Sequence, residues 1–246
     1  MQKKHLSGSG WEALDQTAPS PYGLRPGSAP LPGSFISFEG IEGSGKSTQI
    51  LHLADRLRQA GKEVVLTREP GGTSLGRDLR TLLLKSGDAP PCPMTELLLY
   101  AADRAQHLEE LIEPALGRGA VVLTDRYLDA TLAYQGYGRE LGCDLILKIH
   151  SHPPLDRRPV RTILLDMEPE VGLNRARVRN TFEGTTISEG RFEEEQLGFH
   201  RRVRDGYLLL ASQDPERFRV VDADGGIEQV AERIWDTVRD IVLDVS

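Results

Sequence analysis

The sequence predicts an α/β fold, a five-stranded parallel sheet with helices on both faces, and three observations carry that prediction. Short runs rich in Val, Ile, Leu and Phe alternate along the chain with stretches of helical apolar spacing. The runs are nearly continuous in apolar residues, as strands covered on both faces must be. The first run also ends in a glycine-rich loop, and a later one in a carboxylate, which puts polar chemistry at strand ends.

Taken in order, a strand over 35–39 (Phe35, Ile36, Phe38) runs into Gly40-Ile41-Glu42-Gly43-Ser44-Gly45-Lys46-Ser47, followed by Thr48. The segment fits G-x-x-x-x-G-K-[ST] between a strand and a helix, the setting a phosphate-binding loop requires. The helix spans 46–60, with Ile50, Leu53, Ala54 and Leu57 at its spacing, and Gly61 stops it. A β-branched run, 62–67, is the second strand, and Arg68-Glu69-Pro70-Gly71-Gly72 is a turn. Leu75, Leu79, Leu82 and Leu83 mark the next helix, and 88–93 is a loop with three prolines. One long helix then runs through Leu97, Ala101, Ala105, Leu108 and Ile112 to Gly117 or Gly119. Strands follow at 120–125, 162–166 and 218–222. A last helix carries Ile227, Val230, Ile234, Val238 and Ile241 on one side. Residues 1–33, rich in Ser, Pro and Gly without period, read as a disordered N-terminal extension, and 34–246 as one domain. An expression tag, a mis-assigned start or an organelle address are other readings of that extension.

Composition narrows the function. The 246-residue chain has a net charge of −7, which argues against nucleic acid as a partner, since a polyanion demands a basic face. Cys92 and Cys143 show no metal spacing and read as reduced thiols of a cytoplasmic protein. No apolar run approaches the roughly 18 residues of a membrane span, and no secretory signal precedes the first strand. His107, His150, His152 and His200 lack metal-ligand spacing and read as surface or packing residues. No N-K-x-D guanine-reading sequence occurs.

The phosphate loop assigns the chemistry. Its glycines permit torsions that let successive N–H groups surround phosphate oxygens. Lys46 would reach the β- and γ-phosphates of a nucleoside triphosphate, and the Ser47 hydroxyl would take one Mg²⁺ position. Asp125, ending the 120–125 strand, supplies a second, although an ion pair with Arg126 is an alternative. Tyr100 and Arg104 sit i, i+4 on one helix face with Asp103, an aromatic plane beside a guanidinium fork. Arg175, Arg177 and Arg179 alternate before a Gly/Thr/Ser-rich stretch, 180–190, with Arg191 beyond it. That pattern suits a mobile lid over about 175–193, and an ordinary charged helix face is its alternative.

These residues resemble the thymidylate kinase family from Phe35 to about Ile241. Besides the phosphate loop, the match includes Thr67 to Thr73 (TREPGGT), Tyr100 to His107 (YAADRAQH), Asp125-Arg126-Tyr127, Ala133 to Gly136 (AYQG) and Arg191-Phe192-Glu193. The resemblance implies a P-loop NTP-binding fold with a lid, a homodimer, and transfer of the γ-phosphoryl of ATP to dTMP with Mg²⁺. It implies that Tyr100 stacks on thymine and that Arg104, with Thr131 and Gln135, hydrogen-bonds the base. Arg80 and Arg126 would hold the acceptor phosphate, Glu42 orient the sugar 3′-OH, and Tyr134 crowd a ribose 2′-OH. Because the loop holds Gly43-Ser44 and no arginine, the catalytic arginine is expected in the lid, among Arg175, Arg177, Arg179 and Arg191. Gly190, Ala130 and Pro159-Val160-Arg161 depart from the usual family pattern.

Overall fold

The computed structural model describes residues 32–85, 90–183, 191–193 and 195–243, without the side chains of 179–183 and 243. The 1–33 extension, apart from its last two residues, and most of the expected mobile stretch lie outside them. Five strands form one sheet in the order β2-β3-β1-β4-β5: β1 Ser34–Glu39, β2 Val64–Arg68, β3 Val121–Asp125, β4 Arg161–Asp166 and β5 Phe218–Asp222. All the pairings are parallel. Phe38 stands opposite Asp125 and Glu39 opposite Leu164, so the carboxyl ends of β1, β3 and β4 meet at one edge. The chain crosses from one side of β1 to the other there, which is where open α/β sheets take ligands.

Alternation along the strands builds two cores. Ile36 and Phe38, Val121 and Leu123, and Ile163 and Leu165 pack against α1 (Lys46–Gln59) and α9 (Ile227–Leu243). Phe35, Val122, Leu164 and Phe218 point the other way. They pack with α3 (Pro93–His107) and α8 (Leu197–Gln213), α2 (Ser74–Leu84) bordering the same core. The seam of α9 is Val230, Ile234, Val238 and Val242, all buried, whereas Ile227, expected within it, is exposed.

The long helix expected from Leu97 onward is interrupted. A π-helical turn, Leu108–Ile112, separates α3 from the short α4, Glu113–Gly117. Pro114 opens α4. Its ring cannot donate to the preceding turn and crowds it, and a π turn absorbs the misfit. Three helical segments were not foreseen. They are α5 (Leu128–Thr131) continued by a π turn (Leu132–Gly138), α6 (Cys143–Ile149), and α8. The helix α7 (Pro169–Glu183) also continues into the first residues of the stretch read as aperiodic.

Candidate active site

The loop from β1 to α1 is forced by backbone proximity as much as by torsion. Gly40, Gly43 and Gly45 have φ of 135°, 74° and 93°. A Cβ on Gly43 would lie 1.9 Å from the Gly172 carbonyl oxygen of α7, and one on Gly40 2.5 Å from that of Leu165. Gly45 caps α1 without a side-chain hydrogen bond, and Thr48 N bonds the Gly45 carbonyl at 3.1 Å, so the amides of Lys46 and Ser47 are the ones an anion would take. Ile41 packs its side chain into the core, and Ser44 is buried. Lys46 Nζ donates to the carbonyls of Gly40 (3.0 Å) and Ile41 (2.8 Å) and reaches Ser44 Oγ at 3.4 Å. Burial, reinforced by the charge of Arg126, lowers the Lys46 ammonium to about 8.

At the end of β3, Asp125 Oδ2 accepts from Ser47 Oγ at 3.1 Å. Arg126 does not pair with it. Instead its Nη2 donates to Glu42 Oε1 (2.9 Å) and Tyr134 OH (3.1 Å), and its Nη1 to Gly40 O (3.1 Å). Arg126 holds a left-handed φ of 71°. Such strain, about 1–3 kcal/mol, persists where surrounding contacts over-determine it; here Thr124 Oγ1 holds the Arg126 carbonyl at 2.9 Å. Burial opposes charge on Glu42, yet Arg126 holds its carboxyl well below the usual range.

The other end is built by α3 and the 128–138 helix. Arg104, 1% exposed, donates from Nε to Glu69 Oε2 (2.8 Å) and from Nη2 to Thr131 Oγ1 (3.0 Å). Its Nη1 lies 2.8 Å from His150 Nε2. A guanidinium only donates, so His150 accepts there and its Nδ1–H goes to Ile146 O, 2.7 Å away. Burial and the charge of Arg104 push His150 down to about 3. Gln135 Nε2 donates to Glu96 Oε1 at 2.7 Å, and Arg80 Nη1 to Pro70 O at 3.0 Å. Burial raises the Tyr100 hydroxyl above its ordinary value.

A cavity of about 150 Å³ joins the two ends. All eight residues expected around the acceptor (Glu42, Arg80, Tyr100, Arg104, Arg126, Thr131, Tyr134 and Gln135) line it, with Lys46, Ser47 and Asp125. A second groove, about 890 Å³, runs between α1 and α9, and Gly45, Thr48 and Arg175 border it. Gly43, Lys46 and Ser47 line both.

The thymidylate kinase family model matches residues 38–234. The chain belongs to the thymidylate kinase family. A thymidylate kinase from Syntrophotalea carbinolica is 53% identical over 201 residues, 82% of this chain and 93% of that protein. One from Geobacter sulfurreducens is 52% identical over 206 residues, 84% and 96% of the two chains. The crystal structure of thymidylate kinase from Ehrlichia chaffeensis superposes with a TM-score of 0.67 at 33% identity, covering 84% of this chain and 98% of that one.

Within this thymidylate kinase scaffold the expected lid arginines part company. Arg175, half exposed, bonds Asp224 Oδ1 at 3.2 Å beside the α1–α9 groove. Arg191 is not at the phosphate loop. It is buried, donating to Leu83 O (2.8 Å), Pro91 O (3.4 Å) and Glu96 Oε2 (2.6 Å). The Arg179 side chain lies outside the described residues. His107, His150 and His200, read as surface or packing residues, are all buried behind the site, and only His152 is exposed. His107 Nδ1 donates to Glu69 Oε1 at 2.9 Å, while His200 Nδ1 stands 3.4 Å from Glu42 Oε2 without a hydrogen bond. Sequence reasoning also missed Glu39, buried at the end of β1 under Tyr127 N and Tyr207 OH, each 2.8 Å away. Burial raises its carboxyl. Phe199, Val203, Tyr207 and Leu210, spaced by three or four, were the signal that could have revealed α8 and with it Tyr207.

Proposed function

We infer that the chain transfers the γ-phosphoryl of ATP to dTMP, giving dTDP in the synthesis of dTTP, with Mg²⁺ as the metal. One observation carries this reading: Lys46 and Ser47 line both the cavity that ends at Tyr100, Arg104 and Gln135 and the groove beside α1. A donor triphosphate held by the loop and an acceptor monophosphate in the cavity would meet across those two side chains. Holding two reactants in line supplies much of what phosphoryl transfer needs.

In this reading the loop amides and the start of α1 cradle the donor phosphates, and Lys46 turns from the Gly40 and Ile41 carbonyls to phosphate oxygens. Ser47 Oγ and Asp125 Oδ2, 3.1 Å apart, are hard oxygen donors of the kind Mg²⁺ accepts. Ser47 and Asp125 would hold the ion, which would supply charge neutralisation at the donor phosphates. Arg80 and Arg126 grip the acceptor phosphate, Glu42 orients the 3′-OH, and Tyr134 crowds a 2′-OH. Tyr100 stacks on thymine, and Arg104, with Thr131 and Gln135, reads its edge. No protein base is required, because the attacking oxygen is already a phosphate anion. Charge on the transferring group falls to Lys46 and the α7 arginines Arg175 and Arg179, one helical turn apart. Arg191 is assigned to supporting Glu96.

A homodimer accompanies this reading. Leu75 and Leu82 of α2 and Met94 and Leu98 of α3 are exposed on adjacent helices, an apolar surface that a second copy would cover. A cytoplasmic setting accords with two free thiols, Cys92 and Cys143. No helix among the described residues is long and apolar enough to cross a membrane. The test is ADP release from Mg·ATP with dTMP, dUMP, dCMP, AMP, GMP and thymidine as acceptors. Strong preference for dTMP is expected. Preference for AMP or GMP would overturn the base site, and preference for thymidine would overturn the roles of Arg80 and Arg126.

A further inference from the structure

We propose that Glu96 is a positioning residue that decides which pyrimidine the cavity accepts, by locking the carboxamide of Gln135 in one orientation. The proposal rests on the reading that the cavity holds a pyrimidine monophosphate.

Glu96 lies in the first turn of α3 and is wholly buried. Its Oε1 accepts from Gln135 Nε2 at 2.7 Å and Arg139 Nε at 3.3 Å. Its Oε2 accepts from Arg191 Nη2 at 2.6 Å and Arg139 Nη2 at 3.4 Å. A carboxylate gripped by two guanidiniums offers only lone pairs, so Gln135 must turn its NH₂ toward it. Flipping the amide would set a carbonyl oxygen against a carboxylate oxygen in a buried place, with no proton between them. The Gln135 carbonyl oxygen is therefore held on the opposite edge of the amide, away from Glu96. Gln135 lines the cavity, so that oxygen belongs to the same side chain that borders the ligand space.

Arg104 borders the same cavity and can only donate, and its own direction is fixed by Glu69, Thr131 and His150. The base end thus presents a donor from Arg104 and an acceptor from Gln135. Thymine and uracil match it, with a carbonyl acceptor beside a ring N–H donor. Cytosine presents the reverse, an amino donor beside a ring nitrogen acceptor. A Gln135 free to rotate would serve either ring nitrogen, and Glu96 removes that freedom. Neither α3 nor Glu96 touches the reacting phosphates in this scheme, so the effect falls on base choice and not on phosphoryl transfer.

The experiment compares wild type, Glu96→Gln, Gln135→Leu and the double variant, measuring equilibrium Kd for dTMP and dCMP by calorimetry and turnover of each with Mg·ATP. Glu96→Gln keeps the shape and a carbonyl acceptor but adds an amide that can face either edge of Gln135. The expected result is a preference for dTMP over dCMP reduced about tenfold, arising in Kd more than in kcat. In the Gln135→Leu background the same substitution should change the preference no further. Equal weakening of both ligands by Glu96→Gln, with the preference unchanged, would overturn the lock. Should Glu96→Gln fail to fold, Gln135→Leu alone decides, because an unchanged preference there removes the acceptor from the argument. Wild-type protein that turns over no pyrimidine monophosphate would sink the underlying reading. Wild type preferring dTMP, with the preference altered in Gln135→Leu but kept in Glu96→Gln, sinks only the lock.

Discussion

The two ends of the cavity are built on opposite plans. At the phosphate end, Lys46 is tied to the carbonyls of Gly40 and Ile41, six and five residues away, so the local turn organises itself. At the base end, Arg104 is fixed by Thr131, Glu69 and His150, at separations of 27, 35 and 46 residues. At the first end the lysine is held within its own short segment, with Arg126 and Asp125 added by the fold; the arginine of the second is held only when α3, the 128–138 helix and α6 have packed. Binding chemistry at the first should therefore be separable from stability, and at the second it should not.

Lys46→Ala is the largest test of that contrast. If Lys46 takes the role proposed for it at the developing phosphate charge, removing the ammonium should lower kcat/KM for dTMP about 10³-fold. The thermal midpoint should barely move, because the variant also removes a charge whose burial is unfavourable. Glu69→Gln should show the reverse. Glu69 is buried between Arg104 and His107, and breaking such a pair costs about 3 kcal/mol of stability. Urea unfolding measures that loss, and KM for dTMP should rise while kcat falls less. Unfolding by Lys46→Ala together with a silent Glu69→Gln would break the division.

The same contrast governs what could be read in the sequence. The loop was legible down to single glycines, because Lys46 meets carbonyls five and six residues away and the glycines are imposed by φ, with crowding from Leu165 and Gly172 added by the fold. Tyr100 and Arg104 were legible as a helical face. Their supports were not. Glu96 looks like an acid complementing the start of a helix, Glu39 like the polar end of a strand, and His150 like a surface or packing residue. None carries a local signal of the partner it meets in the fold. The arginines expected in a lid show the limit from the other side: Arg191 sits in a family-like Arg-Phe-Glu run, yet its guanidinium turns to Glu96 and the α2 carboxyl end. The missed break after α3 had a local sign, Pro114, outweighed by the apolar period around it.

Titration sharpens the base-end half of the contrast. His150 drops from an ordinary 6.5 to about 3, so the unfolded chain takes up a proton in that window that the folded protein refuses. Its contribution is present above pH 6.5 and is lost as pH falls toward 3, and stability rises with pH across the window. Asp103, raised from 3.8 to about 6 by burial and the nearby Glu69 charge, acts with the opposite sign between those values. His150→Gln keeps an acceptor for Arg104 and removes the first effect alone. Between about pH 4 and 6 its unfolding free energy should climb less steeply than that of wild type, by about 1 kcal/mol per pH unit. Denaturant titrations at several pH values measure this, and parallel curves would place the His150 proton elsewhere.

Tyr134 belongs to both plans, and so gives the smallest and most diagnostic effect. It projects from the 128–138 helix, yet its hydroxyl donates to Glu42 in the phosphate loop at 2.7 Å and accepts from Arg126 at 3.1 Å. Tyr134→Phe removes the bridge while Arg126 still holds Glu42 at 2.9 Å. The loss should be about 1 kcal/mol in stability and about fivefold in kcat/KM for dTMP. If the hydroxyl also crowds a ribose 2′-OH, Phe should relax the rejection of ribothymidine monophosphate, and Tyr134→Ala should relax it further. Discrimination unchanged in both variants would leave Tyr134 as a strut between the two ends, with sugar choice resting on another wall of the cavity.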